Sequence, residues 1–171
     1  APPSIWVGAP MFVLGLVLRL ATAALPERLL LRIALDDAFY YLRTAQELGL
    51  GNGSTFDGIH STNGYHPLWL WVLTPFTSIF GPGADTVRAL IVLQTAIAAL
   101  SFVLLARLLL RWLPPLAVAL GTAVWWLTPL SVLSSVSGVE ASLACLMVVL
   151  LITVACRFVD APSLGSAAVV G

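Results

Sequence analysis

Residues 35–69, LDDAFYYLRTAQELGLGNGSTFDGIHSTNGYHPLW, form the one long polar passage in a chain that is otherwise soluble in lipid from end to end. That contrast constrains the fold more than any other feature. In hydrocarbon each backbone N–H and C=O must find its partner inside the protein, so the long apolar runs on either side read as helices. With 60 % hydrophobic and 9 % charged residues, and a mean hydropathy of +1.01, the chain lies outside the range of soluble domains and within the polytopic membrane class. The polar passage holds four of the eight acids (Asp36, Asp37, Glu47, Asp57) and both histidines, His60 and His66. A membrane protein that gathers its polar chemistry in one loop presents that loop at a membrane face.

Eight arginines balance the eight acids and there is no lysine. With no basic stripe in the sequence, nucleic acid is not an expected partner. Cys145 and Cys156 share one apolar segment and read as two thiols facing lipid or core.

In chain order, residues 5–25 fit one crossing, with Trp6 at an interface and Arg19 about four turns deeper. Arg19 either snorkels to the boundary or turns inward to a polar partner such as an acid. Pro26 opens a short amphipathic helix with Arg28 and Arg32 on one side, too short to cross. Asp36 then begins a helix of about three turns that Gly49 ends, with Ala38, Tyr41, Leu42, Ala45 and Leu48 on its apolar face. Residues 49–64 are loop, with Gly and Asn where turns need positive φ. Residues 66–81 are apolar but only about 15 long and interrupted by Pro75, which predicts a re-entrant or interfacial helix. Residues 87–110 cross, Pro114–Pro115 turns the chain, residues 116–133 cross again, and Glu140 heads a last span ending at Arg157.

These elements predict an all-α membrane protein with about four transmembrane helices. An external loop, residues 26–86, carries amphipathic and re-entrant helices between the first and second spans. The whole of residues 1–171 reads as one helical module, either part of a longer chain or a shortened relative of one. The positive-inside rule favours this arrangement, because Arg107, Arg111 and Arg157 then lie in the cytoplasm while Asp36, Asp37, His60, His66 and Glu140 share the opposite face. Arg28 and Arg32 are its exceptions.

The pair Asp36–Asp37, just past a span, has three readings. It can supply a general base at the water boundary, hold a divalent cation through oxygen ligands, or simply cap a helix. His66 stands before Pro67, Trp69 and Trp71. A neutral imidazole there can bond a phosphate oxygen or a sugar hydroxyl, or make a structural hydrogen bond, with the Trp rings anchoring the helix at the interface. Glu140, at the head of an apolar helix, either faces a polar site or complements the helix dipole.

The runs DDAFYY (36–41) and TNGYHPLW (62–69), with SGVEASL at 137–143, resemble the N-terminal module of GT-C-type integral membrane glycosyltransferases. Those enzymes transfer a sugar from a polyprenyl-phosphate donor. The resemblance covers roughly residues 1–160 and implies a role for each matching position. Asp36 would be the base that deprotonates the acceptor, and Asp37 would support it or bind a metal, Mg²⁺ or Mn²⁺. Tyr65 and His66 would bind substrate, with His66 near the phosphate, and Glu140 would close the site. Arg43 is the nearest cation for the leaving phosphate. The implied partners are membrane lipid and a polyprenyl-phosphate-linked sugar, and the implied location is a bacterial inner membrane with loop 26–86 on the extracytoplasmic side. An alternative from another class is a non-catalytic accessory subunit of a larger membrane complex, respiratory or photosynthetic for example. Small residues on the spans (Ala96, Ala99, Ala117, Gly121, Ala123) favour that alternative, since they let helices approach closely.

Overall fold

The structure, a computed structural model, describes residues 8–81 and 83–160; Trp6, expected at an interface, lies outside them. Eight helices follow in order: α1 (Ala9–Ala23), α2 (Glu27–Ile33), α3 (Asp36–Gly49), α4 (Pro67–Phe80), α5 (Ala84–Leu109), α6 (Pro115–Leu127), α7 (Pro129–Ser134) and α8 (Ala141–Asp160). Among the described residues there is no strand, only an isolated bridge between Thr55 and Ser61. Proline in the first turn opens α1, α4, α6 and α7, where its missing N–H costs nothing and its fixed φ suits a helix.

Two helices, α5 and α8, are long and apolar enough to cross a membrane; α1 and α2 add a third if that pair, bent by 117°, is one span. The 26 residues of α5 reach about 39 Å, and the 20 of α8 about 30 Å, at 1.5 Å per residue. The bend between α1 and α2 leaves carbonyls unpaired at the end of α1. Arg88, near the start of α5, donates to two of them, Ala23 O at 3.2 Å and Leu25 O at 3.4 Å.

Residues 116–133, expected as one span, are broken at Thr128, so that α6 has only 13 residues. The cause is local: a residue before proline is pushed out of the α region, and Thr128 is extended (φ −61°, ψ 140°) ahead of Pro129. Its hydroxyl then caps α7 by accepting from Ser131 N. Pro75, by contrast, does not end its helix, and α4 runs through it for 14 residues, about 21 Å. That is shorter than the roughly 30 Å of hydrocarbon in a bilayer.

The bundle has two ends. Gln94 of α5 meets Val139 just before α8, and Arg111 beyond α5 pairs with Asp160 at the end of α8, so α5 and α8 run side by side in one direction. α1 runs the other way: Phe12 packs on Phe102 and Trp126, while the carbonyls of Ala23 and Leu25 meet Arg88. α3 and α4 lie against the end of the bundle where α5 and α8 begin. Tyr41, Ala45, Trp69, Leu70, Leu73, Leu90 and Leu143 form the core there. α2 is seated by Leu30, wholly buried against Val87, Ile91 and Val136, while Arg28 and Arg32 stay exposed.

Arg19 turns inward. It is fully buried, stacks 3.6 Å from the Trp126 ring centroid, and donates to Ser135 Oγ, Ser131 Oγ, Trp126 O and Gly15 O at 2.7–3.1 Å. Among the described residues no carboxylate pairs with it. Gly15 permits this closeness, because a Cβ there would sit 1.9 Å from Trp126 Nε1. Cys145 and Cys156 are free and half-buried.

Candidate functional site

The site is organised by five residues that look empty in the sequence, Ser135–Val139. Three successive carbonyls in this turn each receive a hydrogen bond from a different helix. Leu35 N, at the start of α3, donates to Ser137 O at 3.1 Å. Trp69 Nε1 of α4 donates to Gly138 O at 3.1 Å, and Gln94 Nε2 of α5 to Val139 O at 2.5 Å. Gln94 Oε1 also accepts from Gly138 N at 3.1 Å, so both ends of this fully buried amide are used. Gly138 has φ +87°, and a Cβ on it would lie 2.6 Å from the Ala38 Cβ; both the backbone and the close approach require glycine.

This turn delivers Glu140 against the start of α4. His66 precedes Pro67 and is held extended for that reason (φ −82°, ψ 112°). Its backbone N–H donates to the Tyr41 hydroxyl at 3.0 Å, and its Nε2 lies 3.1 Å from Glu140 Oε1. The other oxygen of Glu140, Oε2, is buried without a hydrogen-bond partner. Burial raises the Tyr41 pKa, and the neighbouring carboxylates of Glu140 and Asp37 add to the rise against the opposing His66 N–H. Tyr41 therefore stays a neutral hydroxyl and remains available to donate.

Asp37, His66 and Glu140, with Tyr40, Tyr41 and Tyr65, line one cavity of about 420 Å³. Asn63, Gly64 and Tyr65, at the end of the loop, line it as well. Tyr65 shares a 2.5 Å hydrogen bond with Ser54 Oγ, Tyr40 bonds Thr62 Oγ1, and the Tyr40 ring stacks on Phe56 at 5.3 Å.

The residues expected at a site part into two groups. Asp37, Tyr65, His66 and Glu140 meet at the cavity, whereas Asp36 and Arg43 are not in its lining. Asp36, about 100° round the helix from Asp37, is exposed outside that lining. Arg43 is engaged elsewhere. Its Nη2 lies 2.5 Å from Oε1 of the buried Glu47, its Nη1 donates to Gln46 Oε1 and its Nε to Phe56 O. Glu47 in turn accepts from Asn52 Nδ2 at 2.7 Å, so the pair anchors the start of the loop. His60 is exposed and bonds Asp57 at 2.7 Å, outside the cavity lining. Trp69 is buried as a donor, not placed at the surface as an anchor; Trp71 is 69 % exposed.

No arginine lines the cavity, so its charge is carried by Asp37 and Glu140, with His66 as its one titratable base. Among the described residues no group of three or more His, Cys, Asp or Glu is arranged to hold a metal ion. A cation at Asp37 would take most of its ligands from substrate oxygens and water.

Sequence reasoning missed Gln94, Gly138, Tyr40 and Tyr41 as site residues. A lone Gln inside a 26-residue apolar helix was the available signal, since an amide in hydrocarbon must be satisfied by a neighbour. No protein-family model matches the chain, and comparisons with curated proteins and with solved structures find no match.

Proposed function

We propose that this chain is the membrane module of a GT-C-like glycosyltransferase that takes a sugar from a polyprenyl-phosphate donor. In the same proposal it crosses a bacterial inner membrane four times and holds loop 26–86 on the extracytoplasmic side. The observation that carries this reading is the meeting of Asp37, His66 and Glu140, from three separate elements, at one cavity.

The chemistry follows from the groups present. Asp37, the carboxylate in the cavity wall, accepts the proton of an acceptor hydroxyl as that oxygen attacks the anomeric carbon. The bond from that carbon to the phosphate oxygen breaks, its electron pair leaves with the polyprenyl phosphate, and one displacement inverts the centre. His66 has Nε2 committed to Glu140, which leaves Nδ1 free for a phosphate oxygen. The tyrosine hydroxyls and Asn63 suit a neutral, hydroxyl-rich ligand. Asp36, in the first turn of α3 but outside the cavity lining, serves the helix dipole instead of the reaction.

The test uses membranes containing the protein and a panel of radiolabelled polyprenyl-phosphate hexoses. Transfer by the wild type, its loss in Asp37→Asn and its survival in Asp36→Asn support the reading. Absence of transfer across the panel, or transfer that persists in Asp37→Asn, ends it.

One observation favours the accessory-subunit alternative. On α6, Ala117, Leu120, Gly121 and Val124 face outward, and a Cβ on Gly121 would meet nothing within 4 Å. A second helix can approach closely along such a face. Co-purification with a large complex at fixed stoichiometry, lost on Gly121→Leu, would support that alternative.

A further inference from the structure

At the end of the bundle opposite the Asp37 cavity, α1, α5 and α6 diverge and leave a slot of about 540 Å³. Its walls are apolar, formed by Phe12, Phe102, Val103, Ala106, Val118 and Ala119, and one cation, Arg107, stands among them. From Phe102 to Leu110, just past its end, the slot follows α5 over eight steps, about 12 Å at 1.5 Å per residue. We propose that this slot binds an acyl chain of an anionic membrane lipid, with the lipid phosphate paired to Arg107.

Three observations carry the assignment. The first is depth. α5 spans about 39 Å, more than the roughly 30 Å of hydrocarbon, so Arg107 in its last turn reaches headgroup level while the slot beside it stays in the acyl layer. The second is charge. Arg107 is exposed and, among the described residues, has neither a carboxylate nor a hydrogen-bond partner. Its neighbour Arg111 differs: it pairs with Asp160 and lies 5.1 Å from the Trp112 ring centroid. The third is shape. The aromatic contacts among Phe12, Phe102 and Trp126 close the inner end, so the slot accepts a chain from the Arg107 side and stops it there. An apolar slot with an unpaired cation at headgroup level matches a lipid in both parts, and a net negative headgroup matches it better than a zwitterionic one.

The experiment is native mass spectrometry of the whole chain, released from detergent containing equimolar phosphatidylglycerol and phosphatidylcholine with identical acyl chains. One basic contact predicts about a five-fold preference for retained phosphatidylglycerol. Arg107→Gln, an exposed change that leaves the bundle intact, should bring the ratio to parity. Arg111→Gln should leave it unchanged, and Ala106→Phe should remove retained lipid of both kinds. Parity in the wild type, a preference that survives Arg107→Gln, or undiminished retention in Ala106→Phe would each overturn the proposal. So would a wild type that carries no lipid, the result expected where a protein helix covers the slot.

Discussion

Arg19 and Glu140 are each a single full charge set against apolar helices, yet their surroundings treat them in opposite ways. Arg19 is enclosed completely, and its N–H groups go to two serine hydroxyls and two backbone carbonyls, all neutral. The Trp126 ring stacks against it. Glu140 keeps 28 % of its side chain exposed, uses one oxygen on His66 and leaves the other without a partner. A charge whose hydrogen bonds are filled by the protein holds helices together. A charge left partly unfilled at a cavity wall is available to a ligand. The contrast separates a structural arginine from a candidate site within one bundle.

Two substitutions break the comparison hardest. Arg19→Ala should destabilise the bundle by about 3–5 kcal/mol, since it opens a large cavity and orphans the acceptors at the α6–α7 break. Unfolding followed by tryptophan fluorescence in mixed micelles measures this, and a loss below 1 kcal/mol would make Arg19 dispensable. Asp37→Asn should instead leave that unfolding curve in place and lower sugar transfer by about a thousandfold, within the range for removal of a general base. A matching fall in stability would move Asp37 to the structural side.

Gly138→Ala comes next, at about 2–3 kcal/mol, because it strains a positive φ and drives a Cβ into Ala38. It should also lower transfer, as the turn carrying Glu140 shifts. Glu140→Gln sharpens the comparison from the other side. The amide can still bond His66 and puts a neutral group where Oε2 lacks a partner, so stability should hold or rise by about 1 kcal/mol, while the proposed transfer falls.

The smallest effect belongs to the loop. His60, together with the N–H groups of His60 and Ile59, holds the Asp57 carboxyl well below its ordinary value of 3.8. A depressed carboxyl stabilises the fold above its unfolded pKa and loses that contribution as the pH falls through the folded one. The protection of the Ile59 and His60 amides relative to free amides should therefore persist on acidification until the pH reaches the depressed Asp57 value, and Asp57→Asn should lower it already at neutral pH. Melting temperature should not move.

Much of this fold is legible from spacing. The apolar face of α3 is marked by Ala38, Tyr41 and Ala45, all buried, and Gly49 stands at its end. α5 and α8 announce themselves by length. Asp37, His66 and Glu140 were each visible as polar residues at helix starts. That they share one face followed from the order of the spans and the distribution of arginines, whereas the turn at Ser135–Val139 that fastens α3, α4 and α5 together is a fact of tertiary packing that no local pattern carries. The destination of Arg19 was equally hidden, because a lone cation in an apolar run reads the same whether it snorkels or turns inward. Thr128–Pro129 did carry its signal, but the apolar character of residues 116–133 masked it. Pro75 carried the opposite signal and was overridden by packing of Trp69, Leu70, Leu73 and Thr77.

The turn at Ser137–Val139 fastens α3, α4 and α5 to one another through three adjacent carbonyls, and each fastening is buried or backbone-based. On the facing wall, residues 50–65 attach to α3 through the Tyr40–Thr62 hydroxyl contact, the Arg43 bond to Phe56 O and the Asn52 bond to Glu47. A change in the cavity's width therefore breaks fewer buried contacts on the loop side than on the helix side.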